Sequence, residues 1–554
     1  MVLRTLLRCW PVLLGLWAAA AAPPAAGQGR PALPAVLARW VTAYDKGELR
    51  LEDRAVSRGK VDPRYGKGWV GGSGSPDLTH GGALRALLAH GVAARQPAVL
   101  WWMLRLASLG LVDDTAEVGR THAAVRHPAH LALVRCGDTA SAYILMRAAA
   151  GDFTWFRRPG GNEVGMRAAA ILALGAMDLG VVRPALQRQL GDSATVVRLA
   201  AAEALGSGRH PRALRVLVTA MRAERDAIVA LALIRGVRVT IGRHPTGIDT
   251  ADLRAALHES IELLGRTDWR TDLEIVGFLG ELRSAAAVPA LIGILERSAA
   301  AAAGDPRVSR RLTEAAGEAL RSLTGALIPA NEPEKWRAFW KQVEPTFEVA
   351  PKKPLAGTRT SAGFFGLPVR GSNVVFVIDT SGSMKAGFLP RREDPEMPDG
   401  LTRLDMAKRE LVKAVAGLPR DARFNVITFA TDVTRWRRDL VPAAPTQRKR
   451  LAQMLDKLVP RGATNLFGAL KEALGIRSLR LGARYGVPVD EVFVLSDGEP
   501  TAGELKDPQA ILDLIRDTNR YSSVRINTLY MGGGAESDFM RRLAEENGGT
   551  YLRL

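Results

Sequence analysis

An internal echo constrains this chain more than any other feature. The decapeptide MRAAAILALG at 166–175 returns as VRLAAAEALG at 197–206 and as AIVALALIRG at 227–236, at steps of 31 and 30 residues. Fainter copies are HLALVRCG (130–137), EIVGFLG (274–280) and TEAAGEALRSL (313–323). A second family of segments lies between them: PALQRQL from Pro184, PRALRVL from Pro211 and PALIGIL from Pro289. Each unit reads as helix, short turn, helix. Alanines let neighbouring helices approach and leucines fill the seam, while the recurrent glycine is expected to supply a left-handed C-cap. One such pair cannot bury its apolar face alone, so the pairs must stack on a shared core.

The R-x-x-A-A-x-A-L-G texture resembles the HEAT-like repeats of phycobilisome lyases and bacterial scaffold proteins. We expect such repeats over 80–343, with the stretch from Glu334 to Lys341 as a final amphipathic helix whose aromatics cover the last unit. Of the formal net charge of +19, residues 1–370 carry +15. An excess of that size attracts acidic partners. The arginines are scattered singly with little aromatic interleaving, however, so a solvated helical surface is expected and no nucleic acid is expected.

Both ends of the repeat region have recognisable flanks. Arg4 and Arg8 precede an apolar run from Trp10 to Ala22, and Ala25-Ala26-Gly27 fits a small-residue cleavage site. Residues 1–27 therefore read as a signal peptide, with an uncleaved anchor as the alternative. The run falls short of the roughly 20 residues that span a bilayer. Secreted, periplasmic or cell-surface placement follows, with no membrane span after cleavage. Only Cys9 and Cys136 occur, so a cleaved chain forms no internal disulfide. Residues 28–79 end in a Gly/Ser-rich stretch and read as a linker, as do the Pro-rich residues 344–370.

From 371 to 554 the pattern changes to apolar strands separated by helices. VVFVID (374–379) is apolar throughout, as a strand covered on both faces must be. A doubly wound α/β sheet is predicted. In such a sheet the loops at the carboxyl ends of the strands converge on one crevice. Three loops carry chemistry here: Asp379-Thr380-Ser381-Gly382-Ser383, Thr464 just before a helix, and Asp497-Gly498-Glu499-Pro500-Thr501 after EVFVLS. Two acids placed together repel unless a cation joins them, and an all-oxygen set of this kind suits Mg²⁺ or Mn²⁺.

D-x-S-x-S after an apolar strand, then Thr after Gly-Ala, then Asp-Gly-Glu-Pro-Thr, resembles the von Willebrand factor A domain and its metal-ion-dependent adhesion site. That resemblance covers 371–554. It implies Asp379, Ser381, Ser383, Thr464 and Asp497 as metal ligands, some through water, and an open position that a partner's Asp or Glu fills. An acidic insertion at 388–401, with Glu393, Asp394, Glu396 and Asp399, stands beside the site.

Enzyme readings find little support. Residues 371–554 hold neither His nor Cys, which excludes Ser-His-Asp and Cys-His centres there. No phosphate-binding G-x-x-x-x-G-K-[ST] loop occurs. His122, His127 and His130 lack the spacing of a zinc motif and are expected at the surface or at helix ends. The favoured expectation is a non-enzymatic scaffold that binds a protein through the metal site and a second protein on the repeats. Two alternatives stand beside it: a lyase-type enzyme, and an accessory subunit of a metal-chelatase or ATPase-like machine.

Overall fold

The computed structural model describes residues 97–554, except 114–121, 155–162, 178, 208–209, 303–304, 306, 352–362, 389–399, 420–421, 484–487 and 534–536. The expected signal peptide, the 28–79 linker and most of the acidic insertion lie outside the described residues. The chain divides into two compact units. One runs as far as Ala204, apart from Asp113–Gly119, and the other takes that short stretch and Leu205–Leu554.

Helices α1 (Pro97–Ala107), α2 (His127–Arg135), α3 (Thr139–Ala149), α4 (Glu163–Ala176), α5 (Arg183–Gln189) and α6 (Thr195–Leu205) belong to the first unit. Ala168, Ala169, Ala170 and Ala173 of α4 are buried together with Met166, Ile171 and Leu174. Its glycine does not cap. A Cβ at Gly175, inside α4, would stand 2.5 Å from the Ala204 Cβ, a separation at which real side chains do not meet. Gly175 is therefore a site of close approach between helices. Gly236 behaves alike in the second unit, where a Cβ would fall 2.7 Å from the Gly206 Cα. Left-handed caps instead occur at Arg283 and Gly325.

In the second unit α7 (Ala213–Ala223), α8 (Ala227–Arg243), α9 (Thr250–Leu263), α10 (Trp269–Leu282), α11 (Ala287–Ala300), α12 (Arg310–Thr324) and α13 (Pro333–Val343) alternate between two layers. The layers are α8–α10–α12 and α7–α9–α11–α13. Asp226, Asp249, Asp268 and Ser309 start α8, α9, α10 and α12 by accepting backbone N–H groups. Trp336 and Trp340 of α13 are buried, as a terminal cap requires. The arginines have partners. Arg215–Asp252, Arg222–Glu259, Arg235–Glu274, Arg238–Glu281 and Arg337–Glu296 link successive helices of one layer, and Arg297–Asp272 joins α10 to α11. These pairs tie neighbouring repeats together but leave the net basic excess unchanged, since each joins one base to one acid.

Beyond the repeats comes a sheet of order β5-β4-β3-β7-β8-β9, with β6 also on β4. The strands are β3 (Asn373–Asp379), β4 (Arg423–Phe429), β5 (Val433–Arg435), β6 (Val441–Pro442), β7 (Glu491–Ser496), β8 (Arg525–Tyr530) and β9 (Tyr551–Arg553). The central pairings are parallel, whereas β5 and β6 lie antiparallel to β4. Helices α14 (Arg403–Ala416), α15 (Pro445–Leu455), α16 (Leu466–Ala473), α17 (Pro508–Asn519) and α18 (Asp538–Glu545) intervene. Part of the expected linker is folded. β1 (Gly363–Phe364) and β2 (Leu367–Pro368) pair as a hairpin. They deliver Phe364, fully buried, edge-on to Phe376 at 5.3 Å between ring centres.

The repeats and the sheet domain meet along a polar seam at the amino ends of the strands. Arg311 of α12, 8% exposed, donates to the carbonyls of Asp490 (2.8 Å) and Ser523. Arg270 donates to the Ser522 carbonyl at 2.8 Å, and Arg370 pairs with Glu318. The Asp490 carboxylate accepts the Ser372 and Asn373 amides at 3.0 Å each. Glu491 accepts those of Arg370 and Gly371.

Candidate functional site

Strand order reverses between β3 and β7, so their carboxyl ends form the crevice expected of a doubly wound sheet. Asp379 ends β3, and Asp497 directly follows β7. Both side chains are buried. The Ser383 hydroxyl donates to Asp497 Oδ1 at 2.7 Å and lies 3.1 Å from the Ser381 hydroxyl. The Ser381 amide donates to Asp379 Oδ1 at 2.7 Å. One chain of contacts thus joins four of the five expected ligands. Burial, assisted by the nearby Asp497 charge, raises the Asp379 carboxyl above its ordinary range, although hydrogen bonds from Ser381 and Ser496 oppose the shift.

Thr464 enters through its backbone. Its amide donates to Thr501 Oγ1 at 2.9 Å, and its carbonyl accepts the Thr501 and Ala502 amides. The second and third loops are so tied together. The first and second are joined by Gly382 N–H to Gly462 carbonyl (3.0 Å) and Arg461 N–H to Thr380 carbonyl (2.8 Å). Backbone bonds, with the Ser383–Asp497 and Thr464–Thr501 side-chain bonds, hold the three loops in register.

Two participants escape a sequence reading. Ser496 donates to Asp379 Oδ2 at 2.5 Å, and Arg403 Nη1 pairs with Asp497 Oδ2 at 2.7 Å. Arg403 is the first residue of α14, which begins with a Thr402/Asp405 capping box. A capping box is legible in sequence, but the reach of its neighbour to an acid 94 residues away is not. The three histidines form no metal site: among the described residues no cluster of three His, Cys, Asp or Glu side chains exists. His122 is buried rather than exposed and stacks on His127 at 5.8 Å. The donors at the crevice are oxygens, two of them carboxylates, and this set fits Mg²⁺ or Mn²⁺ better than Zn²⁺.

Fold and loop arrangement define a doubly wound von Willebrand factor A-type domain placed after helical repeats. The family model for the von Willebrand factor type A domain matches residues 372–552, and that for HEAT repeats matches 162–238. The chain carries both modules. Human inter-alpha-trypsin inhibitor heavy chain H2 is 31% identical over 188 residues, covering 33% of this chain and 18% of that protein. Bovine heavy chain H3 is 27% identical over 219 residues, covering 38% and 22%. The match therefore spans about a fifth of each curated relative. Among solved structures, an aerotolerance-related membrane protein from Bacteroides fragilis is similar with a TM-score of 0.23 and 20% identity, covering 33% of this chain and 92% of that one. The PilB minor pilin of Streptococcus sanguinis has a TM-score of 0.24 and 17% identity, covering 34% and 58%. No helix among the described residues is long and apolar enough to cross a membrane.

Proposed function

We propose that this is an extracytoplasmic, non-enzymatic scaffold. It takes a partner's carboxylate through Mg²⁺ or Mn²⁺ held by Asp379, Ser381, Ser383, Thr464 and Asp497, while the repeats offer a second protein a surface. The observation that carries the reading is the contact chain from Asp379 through Ser381 and Ser383 to Asp497 at the strand-order reversal. When bound, the metal supplies a Lewis-acidic position to which a carboxylate oxygen binds. The protein's own groups do the rest. Asp379 and Asp497 set the charge, and Ser381 and Ser383 orient them. The tied loops keep the donors close before binding, which lowers the ordering cost. Placement outside the cytoplasm rests on the leader-like opening segment.

Calorimetric titration of the full chain with Mg²⁺ and Mn²⁺, beside Asp379→Ala, tests the reading. Wild type should bind weakly, because Mg²⁺ sheds its water reluctantly, and the variant should not bind. A folded wild type that gives no heat with either ion would sink the metal assignment. Partner capture that survives EDTA and disappears at moderate salt would instead favour diffuse charge attraction.

A further inference from the structure

A cleft of about 720 Å³ opens immediately beside the crevice, between the ends of β4 and β5 and the last turn of α15. It begins one residue from Asp379, at Thr380, and Gly462 of the second loop closes the same side. Its apolar wall is Trp436, Met454 and Leu458. Val459, on the same rim, is 62% exposed, one of few large aliphatic side chains so open to water.

The charges on the rim are unequal. Lys457 and Arg461 are exposed and form no ion pair among the described residues, while Arg435 is paired with Glu472. Among the described residues Asp432 is the single acid lining the cleft. A rim that carries an exposed aliphatic side chain and two exposed cations fits a ligand with a complementary apolar group and carboxylate.

We infer that this cleft is the specificity subsite for an extended acidic segment of a protein partner. The segment's first carboxylate reaches the metal, a neighbouring aliphatic side chain fills the cleft against Trp436 and Leu458, and a second carboxylate meets Lys457 and Arg461. The inference rests on the reading of the metal site as a carboxylate receptor and adds the discrimination that site lacks. A metal alone binds any accessible Asp or Glu. Thr380 and Gly462 line the cleft and belong to the first two ligand-bearing loops, which puts the cleft within reach of a short segment whose carboxylate is at the metal.

The test uses the full chain in Mg²⁺ and a fluorescein-labelled octapeptide, Glu-Leu-Gly-Asp-Gly-Leu-Glu-Gly, whose flanks allow either chain direction. Three controls replace both Leu by Gly, both Glu by Gln, or Asp by Asn. Anisotropy should show binding of the parent and about tenfold weakening on loss of Leu, the value of burying one aliphatic side chain. The variant Lys457→Glu, at an exposed position outside the three ligand-bearing loops, should weaken the parent about tenfold. It should leave the Gln peptide, Mg²⁺ binding and the melting temperature unchanged.

Mg²⁺-dependent binding that needs Asp but ignores Leu, Glu and the charge reversal would overturn the subsite and leave the metal reading standing. Binding that persists in EDTA yet needs Leu and Lys457 would support the subsite and reject the metal reading. Absence of binding by every peptide at millimolar concentration would overturn both.

Discussion

Arg311 and Asp490, 179 positions apart, are joined where the Arg311 guanidinium donates to the Asp490 main-chain carbonyl at 2.8 Å. The contact fastens the last long repeat helix to the amino end of β7, while the candidate metal site lies at the carboxyl end of the same strand. The seam and the site are therefore separable by mutation.

Arg311→Met should destabilise the full chain by about 1–3 kcal/mol, since the part-buried Ser523 carbonyl loses its side-chain donor and the Asp490 carbonyl is left with the Arg525 amide. Urea unfolding followed by far-ultraviolet circular dichroism and by tryptophan fluorescence should become non-coincident, because repeats and sheet domain lose their shared seam. Mg²⁺ binding should not change. Coincident, unshifted transitions would show the seam to be energetically silent.

Asp490 gives this seam a pH dependence. Burial pushes its carboxyl up to about 6 from the ordinary 3.8, although the Ser372 and Asn373 amides and Arg311 favour the ion. A raised folded-state pKa means that the folded chain holds the proton more tightly than the unfolded chain. The stabilising contribution is complete below pH 3.8 and fades as pH rises to 6, with a fall of about 3 kcal/mol as an upper figure. Asp272, likewise raised to about 6 by burial, acts with the same sign. Asp490→Asn removes the first contribution, so the stability gap between wild type and variant should shift in the variant's favour between pH 4 and 6. A gap that stays constant across this window would contradict the assignment.

At the other end of β7, Arg403 already supplies a positive charge to Asp497. A divalent ion competes with it for the same carboxylate. Arg403→Gln should tighten Mg²⁺ binding, by about tenfold if one charge-assisted hydrogen bond worth about 1.4 kcal/mol is removed from the competition. Calorimetry decides the sign. Weaker binding in the variant would mean that Arg403 holds Asp497 in place for the metal.

Asp379→Ala should abolish metal binding without lowering the melting temperature in EDTA by more than a few degrees. Removing one of two neighbouring acids relieves repulsion and a costly buried charge. The loss of the bonds from Ser381 and Ser496 offsets part of that gain. Thermal scans with and without Mg²⁺ should show a metal-dependent rise only in wild type.

In the repeats, Gly236→Ala should destabilise by about 1–3 kcal/mol, although alanine is the better helix former. The new methyl group meets the backbone of Gly206, which has no side chain to swing away. Leu174→Asp, at a fully buried position, should unfold its unit outright. Circular dichroism of both variants checks the packing; a Gly236→Ala protein as stable as wild type would mean that the helices can part.

Periodicity and local chemistry were enough to read the helical repeats, the alternation of strand and helix, and the three loops bearing Asp379, Thr464 and Asp497. Those signals are local: apolar spacing follows the helix or strand period, and turns select glycine and short polar residues. Tertiary structure decided the rest. The repeating glycine looked like a cap because its own neighbours carry no record of Ala204 or Gly206, the backbones that press against it. Phe364 lay in a stretch read as linker, since two short strands give no periodic signal and only the Phe376 ring beneath explains them. Arg403, Arg311 and Asp490 were invisible for the same reason. An ion pair or hydrogen bond between residues 94 or 179 positions apart exists only after the fold has brought them within 3 Å, and nothing in either local sequence encodes the other.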